Sequence, residues 1–251
     1  MDFSHFLYSS DSIPDGLGFE HFSPLHIFWL LLWVASALFC CLLYRRLDAK
    51  KRRVMQWILT ALIVGDEIWK MVWLMSLGLY THSYLPFHLC SINIFLILFH
   101  TIKPTETVAN FFYVACIPTA AAAILFPTWT KLPFWNFMHL HSFSVHILLF
   151  IYPVMLIAGG DIKPRPRYLP RSLLLLLGLA GIAKGVNILF DTNFMFLESV
   201  SKGNPLKLFE DLLGNHLIGF PVLAVLIIAV MYLPLILIQR HRDKKCASLA
   251  H

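Results

Sequence analysis

Seven stretches of this chain, 26–44, 54–76, 86–102, 107–125, 138–158, 172–190 and 217–238, are apolar over lengths that approach or match the ~30 Å hydrocarbon layer of a bilayer. A soluble core rarely needs one such run, and here they recur from end to end. Lipid offers backbone N–H and C=O groups no partner, so each run must satisfy its own as a helix. The expectation is an all-α polytopic protein of seven transmembrane helices. Residues 1–25 form an extracytoplasmic segment, 26–238 a single transmembrane domain and 239–251 a basic tail. Composition agrees: 58% of residues are hydrophobic and 14% charged, against about 25% charged in soluble domains.

The basic residues orient the bundle. Of the 20 Lys and Arg, fifteen fall in the segments after spans one, three, five and seven, three fall on the opposite side, and Lys70 and Lys184 lie within spans. This bias predicts an N-terminus outside and a C-terminus in the cytoplasm. No Lys or Arg precedes the first run, so it lacks the charged flank of a cleaved signal and is expected to stay as an anchor. The net charge of +6 is thereby spent on topology, and no nucleic-acid motif accompanies it. The five cysteines, Cys40, Cys41, Cys90, Cys116 and Cys246, form no C-x-x-C pair and no disulfide framework.

Polar residues inside spans are costly and so mark sites or structural pairs. Span two carries Asp66, Glu67 and Lys70, and span six carries Lys184 at a similar depth; a buried charge layer joining Lys184 to Asp66 or Glu67 is expected. Either a packing ion pair or the polar path of a transporter or channel would use it. On span five, His139, Ser142 and His146 share one face by helical spacing. On span six, Lys184, Asn187 and Asp191 do the same. Span three places Cys90 and Asn93 one turn apart, with His88 and Ser91 adjoining. All these stripes fall in the outer half, where polar groups from several helices imply a cavity. The connection 191–216, which contains Asn193, reads as a solvated loop or as a lid.

A thiol and an imidazole on facing helices are the minimum for nucleophilic acyl transfer, because the imidazole takes the thiol proton and the thiolate attacks an ester carbonyl. Cys90 is the candidate nucleophile. Asn93, Asn187 and His88 are candidate oxyanion donors, and His139, His141 and His146 compete as base. A zinc-dependent hydrolase would draw on His88, His139, His141, His146 and His216, but no H-x-x-x-H or H-E-x-x-H spacing occurs, so no metal or cofactor is expected.

Three short blocks bear on the choice. Leu85-Pro86-Phe87-His88-Leu89-Cys90-Ser91 is preceded by Phe22-Ser23-Pro24-Leu25-His26 and followed by Asn193-Phe194-Met195-Phe196-Leu197. In this order they resemble the YwaF-like integral membrane family, which includes vertebrate transmembrane protein 164. The resemblance implies seven membrane helices and a phospholipid acyltransferase that carries the acyl chain as a cysteine thioester. Its nucleophile falls on Cys90 and its histidine on His146. Phospholipid or lysophospholipid would be the substrate, in the plasma membrane or an endomembrane according to the organism; lipid hydrolysis is the neighbouring alternative.

Overall fold

A computed structural model describes residues 4–8, 12–200, 204 and 206–248. The described residues are helical with no strand, and they divide into two compact units, 1–195 and 196–251. Lys202 and residues 249–251 of the basic tail lie outside the described residues.

In the first unit, α1 (Pro24–Arg46) starts on a proline whose missing N–H costs a first turn nothing. Asp48 then caps α2 (Ala49–Ser76) by accepting from Lys51 N–H at 2.9 Å. That bond favours the ionised carboxylate and lowers the Asp48 pKa. The third helix, α3, runs Leu89–Ile102, and α4 spans Glu106–Leu125 with a π-turn at Phe112–Cys116. Pro118, just after that turn, cannot donate to the preceding turn of the helix, which accounts for the irregular ladder.

The long helix α5 (Phe137–Gly159) is the hub, packed against α1, α2, α3 and α4. Asn136 starts it: its Oδ1 accepts from Met138 and His139 N–H, while its Nδ2 donates to His5 O and Tyr8 O, both at 2.9 Å. One fully buried amide thus begins α5 and ties the N-terminal segment across its mouth. Pro153 inside α5 leaves the Leu149 carbonyl without its helical donor. The Cys116 thiol supplies one instead, at 3.4 Å. The sixth helix, α6 (Leu169–Phe190), packs on the start of α4, where Ser172 Oγ donates to Thr107 O at 3.1 Å.

The second unit contains α7 (Leu206–Leu213), ended by Gly214 in the left-handed region, and α8 (Gly219–Ser248). Lys207 pairs with Glu210 at 3.1 Å and Asp211 at 3.2 Å on the same helix.

All seven apolar runs are helical, and five of these stretches are long and apolar enough to cross a bilayer: Pro24–Arg46, Glu106–Leu125, Phe137–Gly159, Pro166–Phe190 and His216–Leu237. The other two differ for separate reasons. The 28 residues of α2 include the Lys50–Arg53 cluster and the Asp66, Glu67 and Lys70 group. The 14 residues of α3 reach only about 21 Å.

Candidate active site

The helix that carries Cys90 begins later than its sequence suggests. Pro86 was expected at its start, but Phe87 N–H turns back to Leu85 O at 2.9 Å and the first helical bond is Ile92 N–H to His88 O, also 2.9 Å. Cys90 is therefore the second residue of α3, in the first turn rather than the second. First-turn N–H groups have no helical acceptor, and the positive end of the helix dipole acts there on a thiolate. One turn on, Asn93 is 1% exposed, and among the described residues neither its Nδ2 nor its Oδ1 has a hydrogen-bond partner.

The histidines of α5 separate by their partners. Trp29 Nε1–H donates to His139 Nε2 at 2.9 Å, so the His139 proton sits on Nδ1 and donates to Leu132 O at 3.0 Å. Both nitrogens are committed, and His139 serves as a link between α1 and the α4–α5 connection. His26 is held likewise, with Phe22 N–H on Nδ1 and Ile124 O on Nε2. His146 differs. Its Nδ1 lies 2.6 Å from Ser142 O, a carbonyl that can only accept, so the proton is on Nδ1 and the lone pair on Nε2. Among the described residues, Nε2 has no hydrogen-bond partner. This is the state a general base requires. His146 lies flat against Trp129, with ring centroids 5.3 Å apart and planes 15° from parallel.

Cys90 and His146 are both half-buried, and no hydrogen bond joins them. Cys116 connects their surroundings: it is within electrostatic reach of Cys90, and its thiol bonds the carbonyl of Leu149, one turn beyond His146. The helices themselves, α3 and α5, are in contact.

The charged residues of α2 form a cluster with α5. Lys70 Nζ lies 2.5 Å from Glu67 Oε1, and both are buried. Asp66 Oδ2 is 2.9 Å from His141 Nδ1, close enough for an ion pair but outside hydrogen-bond alignment, and His141 Nε2 is 4.0 Å from Glu67. Lys184, expected opposite these carboxylates, stands on an exposed part of α6. The cluster is within electrostatic reach of His146. Among the described residues no three His, Cys, Asp or Glu side chains gather as a metal site.

Asn187, expected as an oxyanion donor, holds the chain after α6 instead. Its Nδ2 donates to Phe194 O at 3.1 Å, and its Oδ1 accepts from Phe194 N–H at 2.7 Å and Thr192 Oγ1 at 3.0 Å. Asn193 is half-buried within this clamped turn. Asp191 and Met195 have positive φ of 51° and 55°, strained for residues with side chains. His88 meets the same turn: its ring stands edge-on to Phe194, and its Nδ1 accepts from Met195 N–H at 3.4 Å. Trp129 is the participant that the sequence did not supply, and His141, a candidate base there, stands instead beside Asp66. Trp129 lies outside every apolar run, where an aromatic residue ordinarily marks the membrane interface.

A family model described as the TMEM164 family matches residues 21–237. No curated protein and no solved structure matches the chain.

Proposed function

We propose, starting from the fact that this chain belongs to the TMEM164 family, that it is a membrane-embedded acyltransferase moving a fatty acyl chain between phospholipids through a Cys90 thioester. On this reading there are seven spans, with the N-terminus outside and Cys90 in the outer half, the short α3 starting below the surface. In the first half-reaction His146 Nε2 takes the Cys90 proton and the sulfur adds to the ester carbonyl carbon. Collapse breaks the ester C–O bond, and the imidazolium returns the proton to the leaving lysolipid oxygen. In the second, the acceptor hydroxyl gives its proton to His146, its oxygen attacks the thioester carbon, and the C–S bond breaks while the imidazolium returns that proton to sulfur, restoring the thiol and the neutral base.

The observation that carries this reading is the unpartnered amide of Asn93 beside Cys90. A buried polar group left unpaired costs about 1–3 kcal/mol, and an ester oxygen becoming an oxyanion is the acceptor its Nδ2 lacks. The polar layer of α2 supports a transporter less well, because Lys70 and Glu67 answer each other.

Incubation of the purified protein with a phospholipid and a lysophospholipid tests the reading by mass spectrometry. An acyl mass on the peptide containing Cys90, with transfer to the lysolipid abolished in Cys90→Ser, is expected. A normally folded Cys90→Ser protein turning over lipid at the parental rate would overturn the thioester.

A further inference from the structure

Trp129 lies between α4 and α5, and its position is fixed on several sides. One face lies on the His146 imidazole, and the edge contact with Phe143 has centroids 5.2 Å apart. Leu132 N–H donates to its carbonyl at 3.1 Å, and the neighbouring Thr130 carbonyl accepts from Phe19 N–H at 2.8 Å. The N-terminal segment and the head of α5 thus hold the indole in place.

Three indole N–H groups, those of Trp33, Trp73 and Trp129, are buried without a partner among the described residues. Trp33 packs on Phe150 and Trp73 on Phe137; only Trp129 stacks on the candidate base. An indole nitrogen can donate and cannot accept. Its N–H lies in the ring plane, and that plane is nearly parallel to the imidazole. The bond therefore cannot be directed at the imidazole itself and is left for another acceptor.

The geometry points to Trp129 Nε1–H as a hydrogen-bond donor to the acyl carbonyl oxygen of the lipid ester, acting with Asn93 Nδ2. This deepens the thioester reading and rests on it. When the Cys90 sulfur adds, the carbonyl π pair moves onto oxygen and the two N–H groups stabilise the resulting charge. When the tetrahedral intermediate collapses, the pair returns to the carbonyl and the indole keeps its proton. The contact matters more in the transition state than in the bound ester, so it acts on kcat. The stack contributes separately by fixing the imidazole plane.

Trp129→Phe tests the donor, because it keeps an aromatic ring on His146 and deletes the N–H. In full-length protein in nanodiscs containing phosphatidylcholine, with a lysophospholipid acceptor, kcat is expected to fall about 100-fold, with KM, the pH profile and the melting temperature unchanged. Trp129→Leu, which also removes the stack, falls further. Parental kcat in Trp129→Phe with an inactive Cys90→Ser overturns the role of Trp129 and leaves the thioester standing. No acyl mass on Cys90 of the parent protein overturns both. A loss in Trp129→Phe matched by an equal loss of melting temperature assigns the indole to packing and also overturns the donor.

Discussion

The helices α3 and α5 each carry polar residues at two levels, and the levels treat them oppositely. Near the start of α3 and the first half of α5 stand Cys90, Asn93 and His146, whose polar atoms are largely unpartnered among the described residues. Further along stand His100, Thr101 and Tyr152. There, Tyr152 Oη is bonded to Thr101 Oγ1 at 2.8 Å and His100 Nδ1 at 3.2 Å, and Thr101 to Thr60 Oγ1 at 2.7 Å. Thr60 in turn donates to Gln56 O at 2.8 Å, and Gln56 Nε2 donates to Tyr44 Oη at 2.6 Å. Tyr44 donates to Asp161, which Arg52 approaches at 3.5 Å while donating to Gly159 O at 2.8 Å. Chemically similar side chains on the same helices thus close into a chain at one level and stay open at the other. A closed network rigidifies the bundle. An open one stores unmet hydrogen-bonding capacity that a substrate can use.

Replacing His146 by Ala strikes the open level hardest. Acyl transfer should fall at least about 1000-fold, because removing either member of a catalytic pair disables both, while the melting temperature stays near that of the parent. A His146→Ala protein of near-parental rate would move the proposed base elsewhere. Asn93→Leu comes next, and its two readouts should move in opposite directions. Deleting an oxyanion donor should cost about 100-fold in kcat, whereas an apolar side chain of similar size relieves an unpaired buried amide and should raise the melting temperature. Lowered stability in that variant would mean that Asn93 has a structural partner. The smallest effect belongs to the closed level: Tyr152→Phe should cost about 1–3 kcal/mol in reversible unfolding and leave transfer per folded molecule unchanged. A fall in kcat there without loss of stability would erase the contrast between the levels.

The helices were readable because lipid makes hydropathy decisive, and each of the seven runs is helical over most of its length. The short α3 was less readable. Pro86 can begin a helix, but the local Phe87-to-Leu85 turn ends only at His88, and that delay moves Cys90 into the first turn. Residue type and spacing made Cys90, Asn93 and the histidines of span five candidates, and the family resemblance pointed to Cys90 and His146 among them. Partners were not legible, because depth along a helix is set by sequence whereas azimuth is set by packing. Lys184 was expected to face the α2 carboxylates from depth alone, whereas His141 on the hub helix stands 2.9 Å from Asp66. His139 and His146 look equivalent by period. Only the path of the α4–α5 connection and the indole of Trp29 distinguish them.

The Leu149 carbonyl that Pro153 leaves without a helical donor falls between the two levels, on the same helix as His146 and Tyr152. The proline replaces one main-chain hydrogen bond with the softer S–H contact from Cys116. Mechanically this makes α5 a jointed beam, with its least bending stiffness between the open level and the closed one. Deflection of the outer half is then absorbed at the joint, and the clasped residues below it carry little of the load. Cys116→Ser would stiffen the joint with a stronger donor, and Cys116→Ala would slacken it.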